Sequence, residues 1–514
     1  MHAKIFSATT IGVQAKEVQV EVDVALGLIN FFIVGLPDTA IKESRQRIQT
    51  ALKNSGIRLP DRKITVNLAP ADLKKEGTLF DLPIAIGILQ AINLVNIEKQ
   101  FSEETIFLGE LSLDGTVRPI KGALAITFDA REYLHKKRII LPRENASEAA
   151  LIDNMEVIGI ETLTELIGYL TKETNIAPTK SNWQENFAKK TKHLVDFSQV
   201  KGQRQAKRAL QIAAAGRHNI LFIGSPGAGK TMLAQRLATI MPPLTFKEIL
   251  ETSKIYSITG KLTSEKALVY ERPFRAPHHT ISEAGLVGGG TYPQPGEISL
   301  AHHGTLFLDE LTEFKRHTLE VLRQPLENKN IAIARAQQTI TYPAAFLLVA
   351  ALNPCPCGFL GDKKRKCSCS PQDIHKYLKK LSGPLLDRID LQVHVQAVEY
   401  DDIKKQPSAL SSEKLYQPIE KALKKQATRL GAHRYNNSLT SEEIEKYCIL
   451  EAAAEEALKK AFDALNLSMR GYHKVLKLAR TIADLEESNN ISLAHIQEAI
   501  TYRSLERTLE KIRS

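Results

Sequence analysis

The chain has 514 residues, too many for one ordinary domain, so at least two domains are expected. Hydrophobic residues make up 43% and charged residues 25% of the chain, a composition typical of soluble globular proteins, and no internal repeat or low-complexity tract is found. The net charge of +11 favours a polyanionic partner such as nucleic acid, although a solvated basic surface explains the charge equally well.

Signals for export and membrane insertion are missing from the sequence. The start, MHAKIFSATTIG, lacks the charged and apolar regions of a secretory signal. The stretch ALGLINFFIVGLP is about a dozen residues long and includes Asn30, so it is too short to span a bilayer. Five cysteines without an export signal predict a reducing cytoplasm, no membrane partner and no disulfide framework.

Residues 1–170 alternate strand-like and helical runs. AKEVQVEVDVAL alternates apolar and polar residues with period two, which predicts a half-buried strand. DTAIKESRQRIQTALKNSG begins at the plausible cap Asp38 and ends near Gly56, with helical apolar spacing. RKITVNLAPADL, ETIFLGELSLDGTVRPI and KRIILP predict further strands. These runs predict an α+β domain.

The rest of the chain divides into three parts. Residues 171–194 are polar without a clear period and predict a linker. Residues 195–397 continue as alternating strands and helices, which predicts an α/β domain. Residues 398–514 show apolar spacing near 3.6 and predict a helical region.

A phosphate-binding loop lies in the α/β domain. GSPGAGKT matches G-x-x-x-x-G-K-[ST] and stands between the apolar strand NILFI and the helix-forming MLAQRLATI, the context that a P-loop requires. The motif comprises Gly224, Ser225, Pro226, Gly227, Ala228, Gly229, Lys230 and Thr231. Backbone N–H groups of such a loop surround phosphate oxygens, Lys230 reaches the β and γ phosphates, and the Thr231 hydroxyl binds Mg²⁺. ATP and Mg²⁺ are therefore the expected cofactors.

Two further strands end in polar residues. GTLFLDE ends in Asp309 and Glu310, and an acid at the end of a buried strand is costly without a partner. Asp309 suits the Mg²⁺ shell, and Glu310 suits polarisation of the attacking water. AAFLLVAALN ends in Asn353, whose amide either orients that water or caps the strand.

The region from about 195 to 500 resembles the AAA+ ATPases. In this resemblance GTLFLDE is similar to Walker B, and Asn353 to sensor 1. GPLLDRIDL resembles the arginine-finger segment, which implies that Arg388 reaches a neighbouring subunit's site. LSMRGYHKVL resembles the sensor 2 helix, which implies that Arg470 lies near the γ-phosphate. An arginine supplied by a neighbour implies a ring, although solvated arginines are common on a basic chain.

Between the Walker motifs lies RPFRAPHHTISEAGLVGGGTYPQPGEISLAHHG, followed by the predicted hairpin LENKNIAIARAQQTITYPA with Arg335 near its exposed tip. This segment contains four histidines, His278, His279, His302 and His303. No carboxylate or cysteine is spaced to complete a metal site with them. With the NPCPCG cluster, these segments resemble the magnesium-chelatase-like AAA+ proteins of the YifB/ComM family over essentially the whole chain. The resemblance implies a homo-hexameric DNA motor that drives branch migration in natural transformation or recombination, alongside recombination proteins.

The first domain resembles the proteolytic domain of the Lon protease, a ribosomal S5 domain 2-like fold. KKEGTLFDLPIAIGIL and GELSLDGTVRPIKGAL carry this resemblance. A Lon-type peptidase has a serine after the first acidic-Gly pair and a lysine past the second Pro-Ile. Here Thr78 and Leu79 follow Gly77, and the expected lysine position falls near Leu124. Because the catalytic dyad is missing, we expect a binding or ring-forming platform.

Four of the five cysteines form a C-x-C pair, nine residues and a second C-x-C pair: Cys355, Cys357, Cys367 and Cys369. Four thiolates would form a closed structural zinc site, although zinc knuckles more often use C-x₂-C and four free thiols are the alternative. Lys363, Lys364, Arg365 and Lys366 lie between the pairs and are candidate contacts to DNA phosphates, or a solvated charge run.

The sequence therefore predicts an α/β protein with three parts: a Lon-like α+β domain, a P-loop AAA+ core and a C-terminal helical lid. The function it favours is an ATP-driven motor on single-stranded or branched DNA. Two alternatives stay open. One is a chelatase motor that remodels a metal-inserting partner, and the other is a remodelling ATPase whose first domain binds a protein client.

Overall fold

The computed structural model describes residues 2–75, 77–181, 195–263, 266–290, 293–335, 338–362, 364–397, 410–465 and 467–503, with main chain alone at 335 and 338. The strands are β1 His2–Ile11, β2 Gln14–Ala25, β3 Asn30–Val34, β4 Lys63–Ala69, β5 Thr105–Phe107, β6 Glu110–Leu111, β7 Val117–Arg118, β8 Arg138–Pro142, β9 Glu156–Ile160, β10 Ile220–Ile223, β11 Phe274–Arg275, β12 Gly288–Gly289, β13 Gln294–Pro295, β14 Thr305–Leu308, β15 Asn330–Arg335, β16 Gln338–Pro343, β17 Leu347–Leu352 and β18 Leu391–His394.

The helices are α1 Thr39–Asn54, α2 Asp81–Ala91, α3 Lys99–Glu103, α4 Ala123–Glu132, α5 Arg143–Ala149, α6 Leu163–Leu170, α7 Arg204–Gly216, α8 Lys230–Arg236, α9 Phe246–Ile258, α10 Glu283–Val287, α11 Glu297–Leu300, α12 Arg316–Glu320, α13 Arg323–Asn328, α14 Pro371–Leu378, α15 Gly383–Leu386, α16 Ser412–Leu430, α17 Ser441–Tyr447, α18 Ala452–Ala464, α19 Met469–Leu485 and α20 Leu493–Thr501. Short 3₁₀ helices occupy Phe197–Gln199, Leu237–Ile240, Leu311–Glu313 and Asn436–Ser438. No described helix is long and apolar enough to cross a membrane.

The chain forms two compact units. One contains Met1–Lys190 and Thr245–Tyr270, and the other contains Thr191–Leu244 and Glu271–Ser514. Residues 245–270 lie between the P-loop and the acidic strand in sequence, within the range predicted for the ATPase core, yet they group with the first unit. Helical periodicity shows that a segment has an apolar face but not which domain that face packs against.

The first unit combines an antiparallel-dominated sheet with a parallel one. Strands β1, β2, β4 and β3 lie side by side in that order, with β3 parallel to β4, and β5, β8 and β9 form a parallel sheet. The predicted alternation in β2 is present, because Val18, Val20, Val22 and Val24 are all buried. Helix α2 is buried along nearly its whole length, and a Cβ at Gly87 would lie 2.7 Å from Val22 Cγ2. Close helix–sheet packing therefore requires glycine there.

Helix α9 joins this unit through buried polar contacts as well as apolar ones. Ser257 donates its hydroxyl to Glu148 at 2.7 Å, and its carbonyl accepts from Gly122 N–H at 3.0 Å. Lys254 Nζ lies 3.3 Å from Asp129. Burial raises the pKa of Glu148, so the hydroxyl and amide donors around it offset part of the cost of its charge.

The second unit is built on a five-stranded parallel sheet in the order β11-β14-β17-β10-β18. Strand β10 is central and pairs with β17 and β18, and all four residues of β10 are buried. The P-loop, Asp309 and Asn353 follow β10, β14 and β17 respectively. Because the strands are parallel, these three segments meet at one edge of the sheet. The described part of 398–514 is helical, and the predicted α/β fold class is confirmed.

Candidate nucleotide-binding site and cysteine cluster

The P-loop conformation depends on two kinds of glycine. A Cβ on Gly224 would lie 2.2 Å from the Val395 carbonyl oxygen, so only glycine fits beside β18. Gly227 and Gly229 have φ of 77° and 90°, in the left-handed region that glycine occupies at low cost. Helix α8 begins at Lys230, directly after Gly229, so its N-terminal N–H groups face the loop.

Lys230 is buried between the P-loop and the end of β17. Its Nζ donates to the carbonyl oxygens of Gly224 at 2.6 Å and Ser225 at 3.2 Å, and to Asn353 Oδ1 at 3.0 Å. Burial lowers the pKa of Lys230, while Asp309 and Glu310 act in the opposite direction. The structure thus brings the predicted Lys230 and Asn353 into direct contact.

Thr231 and Asp309 also meet. The Thr231 hydroxyl donates to Asp309 Oδ2 at 2.7 Å, and Asp309 Oδ1 accepts from the backbone N–H of Glu310 at 2.9 Å. A hydroxyl and a carboxylate side by side at a phosphate-binding loop are the hard oxygen donors that Mg²⁺ prefers. These residues therefore fit the predicted Mg²⁺ site.

Glu310 is held by a residue to which the sequence pattern gave no role. Its backbone is left-handed, with φ of 50°, and its carboxylate Oε2 lies 3.2 Å from His279 Nδ1. The His279 ring lies against that of His278, with centroids 4.0 Å apart. The adjacent histidines were a visible signal, but their spacing only excluded a complete metal site and did not link His279 to Glu310.

Arg388 and Arg470 lie together on Glu327. Oε1 of Glu327 accepts from Nη2 of Arg388 at 2.5 Å and from Nη2 of Arg470 at 3.2 Å. The lid helix α19 carries Arg470 near its first turn, and Arg388 lies just before β18. Among the contacts of the described residues, neither arginine touches the P-loop.

The four cysteines converge at one point. Their sulfur atoms all lie within 4.8 Å of one another, and Cys355 Sγ is 3.3 Å from Cys357 Sγ and 3.6 Å from Cys367 Sγ. A tetrahedral zinc–thiolate site with bonds of about 2.3 Å places its sulfurs about 3.8 Å apart. Backbone N–H groups, first that of Phe359, lower the pKa of Cys357 to about 6, whereas burial raises the pKa of Cys355 to about 12. The donor set fits a structural zinc ion.

The segment from Cys355 to Cys369, here called the cysteine loop, packs directly on the P-loop. A Cβ at Gly358 would lie 2.7 Å from Cδ of Pro226. The backbone N–H groups of Lys364 and Arg365 lower the pKa of the Asp362 carboxyl, and the nearby Ser225 side chain acts in the same direction. Asp362 Oδ1 also accepts from the backbone N–H groups of Lys364 at 2.8 Å and Arg365 at 3.0 Å. The turn is therefore fixed at its base.

The structure describes only some of the candidate DNA-contact residues. Lys364, Arg365 and Lys366 are exposed, and the Arg365 guanidinium lies 5.0 Å from the centroid of the Phe359 ring. Lys363 and the Arg335 side chain lie outside the described residues.

A parallel sheet with a P-loop, an acidic strand end and a helical lid defines an AAA+ P-loop ATPase. Sequence comparison agrees: the family described as "Magnesium chelatase, subunit ChlI" matches residues 196–403. Related descriptions, "Subunit ChlI of Mg-chelatase" and "Magnesium chelatase, subunit ChlI C-terminal", match residues 20–145 and 409–503.

Relatives that match over nearly the whole of both chains define the family within this class of ATPases. The chain is 43% identical to "Competence protein ComM" of Haemophilus influenzae, over 99% of each chain. It is 40% identical to "Uncharacterized protein YifB" of Escherichia coli, over 98% of this chain and 97% of that protein. The chain belongs to the YifB/ComM family of magnesium-chelatase-like AAA+ ATPases. Identity to the "Magnesium-chelatase 38 kDa subunit" of Rhodobacter capsulatus is 24%, over 61% of this chain and 87% of that protein.

Proposed function

We propose that the protein is an ATP-driven, homo-hexameric motor that moves on branched or partly single-stranded DNA. The observation that carries the proposal is the contact between the P-loop and the cysteine loop, Gly358 on Pro226 and Asp362 on Ser225. The exposed basic residues Lys364 and Arg365 are part of that same loop. A change in the P-loop during hydrolysis is thus passed over a few residues to a basic surface.

Each predicted site residue has a task in this mechanism. Lys230 balances charge on the β and γ phosphates, while Thr231 and Asp309 hold Mg²⁺, which screens the same phosphates. Glu310 polarises the attacking water, and Asn353, already bonded to Lys230 at 3.0 Å, orients that water. Arg388 supplies positive charge to the site of the neighbouring subunit, which requires a ring, and Arg470 supplies positive charge near the γ-phosphate.

The basic loop is the proposed DNA grip. Zinc held by the four cysteines would fix the loop, and Lys363, Lys364, Arg365 and Lys366 would then face phosphates at low entropic cost. Arg335 of the β15–β16 hairpin is a second contact. The net charge of +11 and the 43% identity to "Competence protein ComM" support a role in recombination or natural transformation, where recombination proteins would be further partners.

Steady-state ATP hydrolysis tests the proposal. The rate is measured without DNA and with single-stranded, duplex and forked DNA, beside a Lys230→Ala control. We expect strong stimulation by DNA, greatest with the forked or single-stranded substrate, and no activity in the control. ATP hydrolysis that is the same with every DNA would overturn the DNA-motor function.

A protein-remodelling function is the second candidate. The similarity to a magnesium-chelatase subunit favours it, and so do the exposed apolar side chains Leu26, Leu28 and Ile29 in the first unit. This candidate predicts ATP hydrolysis that is indifferent to DNA and stimulated by a protein client. The same assay therefore separates the two functions.

A further inference from the structure

Glu327 is shared by two arginines that the proposed mechanism uses. Arg388 has only 10% of its side chain exposed and donates both to Glu327 and to the Pro384 carbonyl oxygen at 2.5 Å. The side chain of Arg470 is 66% exposed. One carboxylate therefore faces two guanidinium groups, and the trio keeps a net positive charge. Such a trio retains affinity for a further anion, such as a phosphate.

Glu327 is also rigidly connected to the β15–β16 hairpin. It lies in the last turn of α13, whose C-cap residue Lys329 has a left-handed φ of 58°. The Lys329 N–H donates to Pro325 O at 3.0 Å, and the Lys329 carbonyl accepts from Ala344 N–H at 2.8 Å. The first rung of the hairpin, Asn330 with Pro343, follows at once. A displacement of the hairpin therefore moves Glu327.

A purely structural role does not account for this arrangement. The lid helix and the segment before β18 are already joined by the buried pair of Asp390 and Lys474, at 2.8 Å. Glu327 is half-exposed and Arg470 is 66% exposed, so the ion pair between these two residues adds little stability. The contact with Arg470 therefore has little structural value, although the pair with the mostly buried Arg388 contributes more.

We propose that Glu327 is a positioning residue that holds Arg388 and Arg470 as a pair until the hairpin moves. An arginine that is bound to the Glu327 carboxylate must leave it before it can bind a phosphate. Glu327 therefore opposes ATP hydrolysis in the protein without bound DNA. Displacement of the hairpin by a bound strand withdraws the carboxylate and frees both guanidinium groups. This inference rests on the proposed function, in which these arginines stabilise phosphate charge and the hairpin contacts DNA.

The test is the ATP turnover of Glu327→Gln in the full-length protein. Glutamine keeps the size and an acceptor oxygen but removes the charge. We expect turnover without DNA to rise about three- to ten-fold, the factor typical of one partly exposed charge pair, with the KM for ATP unchanged. The stimulation factor with single-stranded DNA should fall correspondingly. Glu327→Asp, which keeps the charge, should restore turnover close to the wild-type level.

The matched control is Glu320→Gln on the preceding helix, whose carboxylate contacts Ser382 and pairs with Arg323 at 2.9 Å rather than with either arginine of the trio. An equal or lower turnover without DNA in Glu327→Gln overturns the inference, and so does an equal rise in Glu320→Gln. If no DNA stimulates the wild-type protein, the DNA-motor function fails. Even then, comparing the ATP turnover of Glu327→Gln with that of the wild type without DNA decides whether Glu327 restrains the arginines.

Discussion

Oδ1 of Asp390 lies 2.8 Å from Nζ of Lys474, and this buried pair joins the start of β18 to the lid helix α19. Asp390 Oδ2 also accepts from the backbone N–H of Asn219 at 3.1 Å. Arg470 lies one helical turn before Lys474, so the helix face anchored by this pair also carries Arg470 towards Arg388. The lid is thus attached by a buried charge pair beside the arginine pair.

Asp390 should make the stability of the second unit sensitive to acid. Burial alone raises its pKa, but Lys474 and then His218 hold the pKa well below its usual range. Because this pKa is lower in the folded protein than in the unfolded one, ionised Asp390 stabilises the fold above about pH 4, and that contribution is lost as the pH falls below about 4. Thermal unfolding of the wild type between pH 7 and pH 2 measures this loss.

Asp390→Asn is the corresponding variant. It leaves Lys474, whose side chain is 18% exposed, without its carboxylate partner, which should cost about 1 to 3 kcal/mol of unfolding free energy at neutral pH. Its stability should also depend less on pH in the acid range. The exposed Asp463→Asn serves as the control and should unfold like the wild type. A loss of stability at acid pH that is as steep in Asp390→Asn as in the wild type would show that Asp390 is not the group responsible.

Glu310→Gln should separate nucleotide binding from hydrolysis. The amide cannot accept a proton from the attacking water, so kcat should fall about 10²- to 10⁴-fold. Binding of ATP should persist, because Lys230, Thr231 and Asp309 are unchanged. Single-turnover hydrolysis and equilibrium binding of a fluorescent nucleotide measure the two effects. Glu313→Gln, an exposed acid three residues later, is the matched control. Equal activity of both variants would remove Glu310 from the mechanism.

The cysteine cluster predicts one bound zinc ion per chain. Cys367→Ser should reduce the zinc content of the purified protein well below one and lower the thermal stability of the loop region, because a structural site needs all four thiolates. Cys448→Ala, at the buried cysteine outside the cluster, should retain the metal. Elemental analysis decides the point, and equal zinc in both variants would show that the cluster is not the site.

The basic loop predicts a change in the salt dependence of DNA binding. Replacing Lys364 and Arg365 by alanine removes two phosphate contacts, so the slope of log K against log salt should become shallower by about 1.4 on single strands and about 1.8 on duplex. The exposed pair Lys459 and Lys460 on α18, changed in the same way, should leave the slope unaltered. Titrations at four salt concentrations measure it. An unchanged slope in the loop variant would place the DNA surface elsewhere.

Local sequence patterns were sufficient for the elements that carry the nucleotide site. The P-loop motif, its preceding strand and its following helix are contiguous, so β10 and α8 could be placed by reading about twenty residues. The acidic end of β14 and the amide after β17 were visible for the same reason. The bond between Lys230 and Asn353 was not predicted from the sequence, although parallel strands that end at one edge bring the two residues near each other.

The partners of the arginines and of Glu310 depend on the tertiary structure. Glu327 is separated by 61 residues from Arg388 and by 143 from Arg470, and no spacing rule links such positions. His279 likewise meets Glu310 because β11 lies beside β14 and parallel to it, so the segment after β11 begins at the sheet edge where Glu310 lies.

By itself the sequence determined that this protein is an AAA+ P-loop ATPase, because periodicity and motifs are properties of short, contiguous segments. It also showed the resemblance to the family, through the RPFRAPHHTIS segment, the predicted hairpin and the NPCPCG cluster together. Only the tertiary structure decided that α9 packs in the first unit, that the cysteine loop rests on Pro226, and that two distant arginines share one carboxylate. Those contacts join residues far apart in the chain, and their partners are selected by shape and burial, which a one-dimensional pattern does not encode.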